Sequence, residues 1–206
     1  MSASCHNHKP AFDGQSQTYK RILWIVIALN FGMFLVELLS GLQAQSQALK
    51  ADSLDFLADS LTYFISLMVI GKSVRVRALA STFKGYSLII MSLGVFGYTI
   101  YRFFQPGVPD EQVMGVIGVM ALAANAISAF LLLRYSSGDS NVRSVWLCTR
   151  NDAIGNVLVM IAAGLVAFTG SAWPDLIVAT VMAGLFLSSS YQILRQARQE
   201  QRKEKH

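Results

Sequence analysis

Six long apolar segments constrain what this chain can fold into more than any other feature. Each is close to the ~20 residues that a helix needs to cross ~30 Å of hydrocarbon. None shows the alternating polarity of membrane β-strands, so we predict six transmembrane helices. The segments cover residues 22–41, 48–71, 85–104, 113–133, 145–168 and 176–194.

The composition agrees with an all-α membrane protein in a lipid bilayer. Hydrophobic residues make up 53% of the chain and charged residues 14%, whereas a soluble domain carries about 25% charged residues. The formal net charge is +5, but most of the basic residues lie between the apolar segments or in the tails. Membrane topology therefore explains them, and we expect no nucleic-acid partner.

The distribution of Lys and Arg predicts the orientation. Three connections, 42–47, 105–112 and 169–175, contain neither residue type. The other connections and both ends are basic, as shown by Lys9, Lys20, Arg21, Lys72, Arg75, Arg77, Lys84, Arg134, Arg143, Arg195, Arg198, Arg202, Lys203 and Lys205. Positive charge concentrates on the cytoplasmic side, so we expect both termini in the cytoplasm and a multi-pass protein of the plasma membrane.

The predicted membrane domain, 22–194, lies between two cytoplasmic tails. The first, 1–21, is polar, has no signal-peptide pattern and is expected to be flexible. It contains Cys5, His6 and His8, which can capture a metal ion transiently but are too few for a four-coordinate site. An auxiliary metal role and a tail without one both stay open. The second tail, 195–206, is short and basic.

Acidic residues in the second segment predict a cation site. Asp55 and Asp59 lie one helical turn apart on one face, with Asp52 a turn further out. A carboxylate at membrane depth costs roughly 2.5–3.5 kcal/mol. A solvated acidic patch at a helix end is the alternative, but Asp59 lies too deep for it. We therefore predict a metal site facing a water-accessible interior, with Asp52 as an auxiliary residue.

The fifth segment repeats this spacing with Asp152 and Asn156. The second segment enters from outside and the fifth from inside, so the two helices are antiparallel and both pairs lie near mid-membrane. Four oxygen ligands on two facing helices make a compact cage for a divalent cation. The predicted metal ligands are thus Asp55, Asp59, Asp152 and Asn156.

Other polar residues in the spans have simpler interpretations. Asn30 and Asn125 are expected to form interhelical hydrogen bonds. Glu37 is harder to dismiss as a structural residue, although a single acid near a helix end can simply reach the outer interface.

The pattern around these residues resembles the cation diffusion facilitators. The resemblance covers about residues 27–194 and rests on the run from Asn30 to Glu37, on Ser46-x-Ala-Leu-x-Ala-Asp52 leading into Asp55-x-x-x-Asp59, on Asp152-x-x-x-Asn156 and on the Trp173-Pro-Asp turn. It implies export of a divalent metal in exchange for protons.

Two departures from the family pattern qualify what the resemblance implies. We expect a short member, without the cytoplasmic metal-binding domain that commonly follows the sixth span. A homodimer would then rest on membrane helices, through small-residue spacings such as Ala179/Ala183 and Gly184/Ser188. Asp152 stands where His is usual and Asn156 where Asp is usual, and all three histidines, the last being His206, lie in the tails. An oxygen-only site favours harder ions such as Mn²⁺, with Zn²⁺, Co²⁺ and Cd²⁺ also candidates.

The predicted function is therefore secondary export of a divalent transition metal by proton antiport. No nucleotide-binding motif is present, and neither a cofactor nor catalytic residues are expected. A passive cation pore and a metal-binding membrane subunit are the alternatives. An intramembrane aspartyl protease is disfavoured, because the Gly-x-Gly-Asp pattern of such enzymes is missing.

Overall fold

The computed structural model describes residues 16–105, 107–135 and 140–203. These residues form six α-helices and no strand, which confirms the predicted all-α class. The tail that contains Cys5, His6 and His8 lies outside the described residues, as does His206. The helices are α1 (Gln17–Gln43), α2 (Gln47–Met68), α3 (Val74–Phe103), α4 (Glu111–Leu133), α5 (Ser140–Thr169) and α6 (Trp173–Lys203).

The helices extend beyond the predicted apolar segments, most of all in α1, α3, α5 and α6. The Ser16 side chain caps α1 by accepting a hydrogen bond from the Tyr19 amide at 3.2 Å, so residues 17–21 are helical rather than a flexible tail. Gly71, with a φ of 77°, lies between α2 and α3, and α3 begins three residues later. No glycine or proline interrupts 74–84, so this stretch is helical as well. At the other end, α6 continues to Lys203.

Four helices are long and apolar enough to cross a membrane, by length and composition. They are α1, the Leu79–Phe103 part of α3, α4 and the Trp173–Arg195 part of α6. In α5 the apolar stretch is shorter, Gly155–Thr169. Large apolar side chains cover the outer surface, for example Phe168, which is 89% exposed, and Phe130, which is 76% exposed. Such a surface suits lipid rather than water.

The helix with the acidic residues lies at the centre of the bundle. Helix α2 packs against α1, α3, α5 and α6, and the largest helix pairs are α3 with α6, α1 with α2 and α4 with α5. Near the start of α2, Ala48 and Leu49 join a core with Val159 and Ala163 of α5. Near its end, Tyr63 contacts Thr149, at the start of α5. The two helices are therefore antiparallel, as predicted.

Helices α3 and α6 are joined by hydrogen bonds from side chains to backbone. The Ser92 hydroxyl donates to the Ala183 carbonyl at 2.7 Å, and the Ser190 hydroxyl donates to the Gly85 carbonyl at 2.8 Å. A Cβ atom on Gly85 would lie 2.6 Å from Leu194 Cγ. A side chain at position 85 would therefore require Leu194 to move.

The small residues expected to support a dimer divide into two groups. Ala179 and Ala183 are buried inside the chain, where they pack in the same core as Val159. This pair is therefore unavailable to a second copy, and the expectation was wrong for it. Gly184 and Ser188 lie on the exposed side of α6.

A buried carboxylate at the start of α6 holds the start of α2. Asp175 Oδ1 accepts hydrogen bonds from the Ser46 hydroxyl at 2.5 Å and from the Ala48 amide at 3.0 Å. Its Oδ2 accepts from the Gln47 amide at 2.7 Å. The first amides of a helix have no partner within the helix, and its N-terminus favours negative charge. Asp175 thus caps a helix that is distant in sequence.

We predict that Asp175→Ala destabilises the protein by roughly 2–4 kcal/mol, because it leaves several buried donors without an acceptor. Asp110→Ala is the matched control: Asp110 caps its own helix in an exposed position, through the Gln112 and Val113 amides. Loss of such a cap costs about 1 kcal/mol. Thermal unfolding in detergent, followed by circular dichroism, compares the two. Equal shifts would contradict a special role for the cap between helices.

Candidate metal centre

Three of the four predicted ligands come together between α2 and α5. The Asp152 carboxyl lies within hydrogen-bonding reach of both Asp55 and Asp59. Asp59 is only 8% exposed, and Asp55 is partly buried. The two α2 aspartates are also close enough to repel each other. Close carboxylates of this kind form an anionic pocket that favours a cation.

The fourth predicted ligand is a buried amide without a hydrogen bond. Asn156 lies one turn after Asp152 on α5 and is 0% exposed. Neither its amide nitrogen nor its carbonyl oxygen has a partner among the residues that the structure describes. Buried polar atoms normally have partners, and an exception requires an explanation such as a missing ion or water. A cation bound to the amide oxygen would supply one.

The carboxylates do not yet form a complete coordination shell. Within the described ranges, no three His, Cys, Asp or Glu side chains are arranged as a metal site. Instead, the Tyr63 hydroxyl donates a hydrogen bond to Asp59 Oδ2 at 2.5 Å. Tyr63 Oη also lies 2.9 Å from Thr149 Oγ1. Because the single phenolic proton is directed to Asp59, the Thr149 hydroxyl is the donor in this second bond.

A lysine from α3 contributes positive charge on the same side as Tyr63. The Lys84 ammonium donates a hydrogen bond to the Ser66 hydroxyl at 2.9 Å and interacts electrostatically with Asp59. From the sequence, Lys84 was expected in the basic connection between the second and third segments, where it indicated only the orientation of the helices. In the structure it belongs to α3 and faces the acidic residues of α2.

Two polar residues of α1 differ from their predicted roles. The Asn30 amide donates to the Val26 carbonyl of its own helix at 2.8 Å, so the expected interhelical bond is wrong for this residue. Glu37 does not reach an outer interface, since it is 0% exposed and its carboxyl lies beside Asp52. For Asn125, which is buried, the amide oxygen has no partner among the described residues.

The sequence did not predict the roles of Glu37, Tyr63 and Thr149 around the acidic residues, although the helical period contained a signal for Glu37 and for Tyr63. Glu37 follows Asn30 by seven residues and so shares the buried stripe of α1. Tyr63 follows Asp59 by four residues, as Asp59 follows Asp55, so the three lie on one face of α2.

Comparison with known proteins finds similarity to several metal transporters. It is 28% identical over 206 residues to a cadmium, cobalt and zinc/H(+)-K(+) antiporter of Bacillus velezensis, covering 92% of this chain and 64% of the relative. It is 27% identical over 207 residues to the zinc transporter ZitB of Escherichia coli, covering 94% and 66%. It is 30% identical over 180 residues to the metal cation efflux system protein CzcD of Cupriavidus metallidurans, covering 82% and 57%.

The chain thus spans 57–66% of the length of these relatives. Residues 23–200 match the cation efflux transmembrane domain. This range contains α2 to α5 in full, most of α1 and α6, and the four predicted ligands Asp55, Asp59, Asp152 and Asn156. The chain therefore belongs to the cation efflux family.

Proposed function

We propose that this protein exports a divalent transition-metal cation from the cytosol as a secondary transporter. The observation that carries the proposal is the meeting of Asp55, Asp59 and Asp152 beside the unpartnered amide of Asn156. Such a group at the centre of a bundle with an apolar surface has little value for packing. Membership of the cation efflux family supports the same function.

In the proposed topology, six helices span the plasma membrane and both termini lie in the cytoplasm. The connections without Lys or Arg support this orientation. In α2, four charged residues lower the hydropathy below that of an ordinary span: Lys50, Asp52, Asp55 and Asp59. We assign α2 and α5 to the membrane because the other helices surround them.

Asp55, Asp59, Asp152 and Asn156 are the proposed ligands of the transported ion. Zn²⁺, Cd²⁺ and Co²⁺ are the candidates suggested by the names of the relatives. The absence of histidine from this set adds Mn²⁺, which accepts carboxylate and carbonyl ligands. The ion is a substrate that passes through, so we propose no resident cofactor and no enzymatic activity.

Protons are the proposed counter-substrate. Carboxylate oxygens bind either a proton or a metal ion, so the two compete for one site and metal binding releases protons. One relative is named as an antiporter that uses H(+) and K(+). A passive pore is the second candidate, because carboxylates grouped between the helices of a bundle also suit downhill flow of cations. Uptake of Zn²⁺ into proteoliposomes with and without an imposed pH gradient distinguishes the two.

Loss of the Asp59 carboxylate tests the proposed site directly. We expect Asp59→Asn to reduce Zn²⁺ transport by more than about 100-fold, since loss of even an outer-shell partner costs about 10–100-fold in metal affinity. Asp110→Asn, the same change at an exposed helix cap, should transport like the wild type. Rates are measured in proteoliposomes at equal protein content. Wild-type transport by Asp59→Asn would remove the proposed site.

Asn156 tests the ligand set by the addition of a charged oxygen rather than by its removal. Asn156→Asp adds an anionic oxygen next to the ion, so we expect transport to persist, apparent Zn²⁺ affinity to rise about tenfold, which is about 1.4 kcal/mol, and the preference between Zn²⁺ and Mn²⁺ to change. Asn156→Leu removes the oxygen at similar volume and should weaken binding. If the leucine variant bound both metals normally, Asn156 would not be a ligand.

Tyr63 competes with the ion for Asp59. Its hydroxyl occupies one carboxylate oxygen, and with Thr149 it closes the end of the site at which α2 ends and α5 begins, the cytoplasmic end in the proposed topology. A hydrogen bond to a charged group is worth about 1.5–3 kcal/mol. Entry of a metal ion from the cytosol therefore requires this contact to open.

We predict that Tyr63→Phe raises the apparent metal affinity about tenfold, because it removes the competing donor and keeps the buried ring. Tyr86→Phe, at an exposed position on α3, is the control. Isothermal titration of detergent-purified protein with Zn²⁺ measures the change. An affinity equal to that of the wild type would show that the Tyr63 contact is not displaced on binding.

A further inference from the structure

A second acidic pair lies between α1 and α2, apart from the four proposed ligands. Glu37 of α1 is 0% exposed and Asp52 of α2 is 1% exposed, and their carboxyl groups are adjacent. Both Glu37 oxygens and Asp52 Oδ2 are buried without a hydrogen-bond partner among the described residues. The Glu37 side chain is thus directed at Asp52 with nothing from the described protein to satisfy it.

Among the described residues, no positive charge is found that compensates this pair. Within the described part of the chain, the charged groups found to act on Glu37 are Asp52 and Asp55, both acidic. Lys50 is close in sequence, but its ammonium lies over the Tyr98 ring, 5.0 Å from the centroid. Burying a charge without a partner costs several kcal/mol. A positively charged ligand is the simplest source of compensation.

The backbone holds the two helices close at this point. A Cβ atom on Gly41 would lie 3.1 Å from Leu49 Cβ and 3.2 Å from the Lys50 amide nitrogen, so α1 and α2 almost touch. Glu37 lies one turn before Gly41, and Asp52 lies within a turn of Leu49 and Lys50. This close approach of α1 and α2 brings the positions of Glu37 and Asp52 next to each other.

We propose that Glu37 and Asp52 form a second binding site for a divalent cation. Their oxygens and the nearby charge of Asp55 suit an ion with two positive charges, whereas one shared proton could join only two oxygens. Asp52 lies three residues before Asp55 on the same stripe of α2. The pair is thus one turn nearer the start of α2 than the central ligands. If the proposed export function holds, it receives the outgoing ion.

Binding stoichiometry tests this site independently of transport. Mn²⁺ is the probe, because it prefers oxygen ligands and binds thiol and imidazole groups, such as those in the N-terminal tail, more weakly than later metals do. Free Mn²⁺ is counted by electron paramagnetic resonance during titration of the full chain in detergent. We expect two bound ions in the wild type, one in Glu37→Gln, one in Asp59→Asn and none in the double variant.

Two further variants make the result specific. Asp52→Asn should match Glu37→Gln, and Glu111→Gln, at the first turn of α4, should keep both ions. An unchanged melting temperature shows that each variant is folded. If Glu37→Gln and Asp52→Asn each bind as many ions as the wild type, or if the wild type binds none, the second site is overturned and a pair sharing a proton takes its place. Loss of an ion in Glu37→Gln but not in Asp59→Asn would instead support the second site and contradict the central one.

Discussion

Burial of acidic side chains inside a bundle with an apolar surface is the constraint on which the rest of the structure depends. Glu37, Asp52 and Asp59 are each less than one-tenth exposed, and removing a carboxylate from water costs several kcal/mol. The described protein meets only part of this cost, chiefly through the Tyr63 hydroxyl. The acidic helix can exist only at the centre, with four other helices packed around it.

The nearby basic residues leave the acidic stripe largely uncompensated. Lys84 of α3 interacts electrostatically with Asp59 and also donates a hydrogen bond to the Ser66 hydroxyl. Lys50 precedes Asp52 by only two residues, yet its ammonium contacts the Tyr98 ring and interacts electrostatically with Asp175, the cap at the start of α2. A helix that separates its own cation from its own anions in this way leaves the anions available to an external cation. This separation distinguishes a binding helix from one stabilised by internal ion pairs.

The sequence was informative where a feature depends on local periodicity. Apolar length predicted every helix, and the spacing within Asp55/Asp59 and Asp152/Asn156 predicted that α2 and α5 face each other. Contacts that depend on which helices are neighbours were harder to predict. Glu37 was assigned to an outer interface because its distance from the helix end was considered without the buried stripe it shares with Asn30. Tyr63 has the ordinary appearance of a core aromatic, and only the Asp59 contact reveals its polar role.

The cap on α2 also has a consequence for the order in which the protein is assembled. Asp175 follows its partner Ser46 by 129 residues, so the amides at the start of α2 have no such acceptor until the last helix has been synthesised. Contacts between residues that are distant in sequence form late in folding. Until they form, surface that is buried in the native structure stays exposed. During synthesis the amides at the start of α2, the most acidic helix, therefore lack the acceptors that Asp175 provides. They gain these acceptors only when α6 packs against α2.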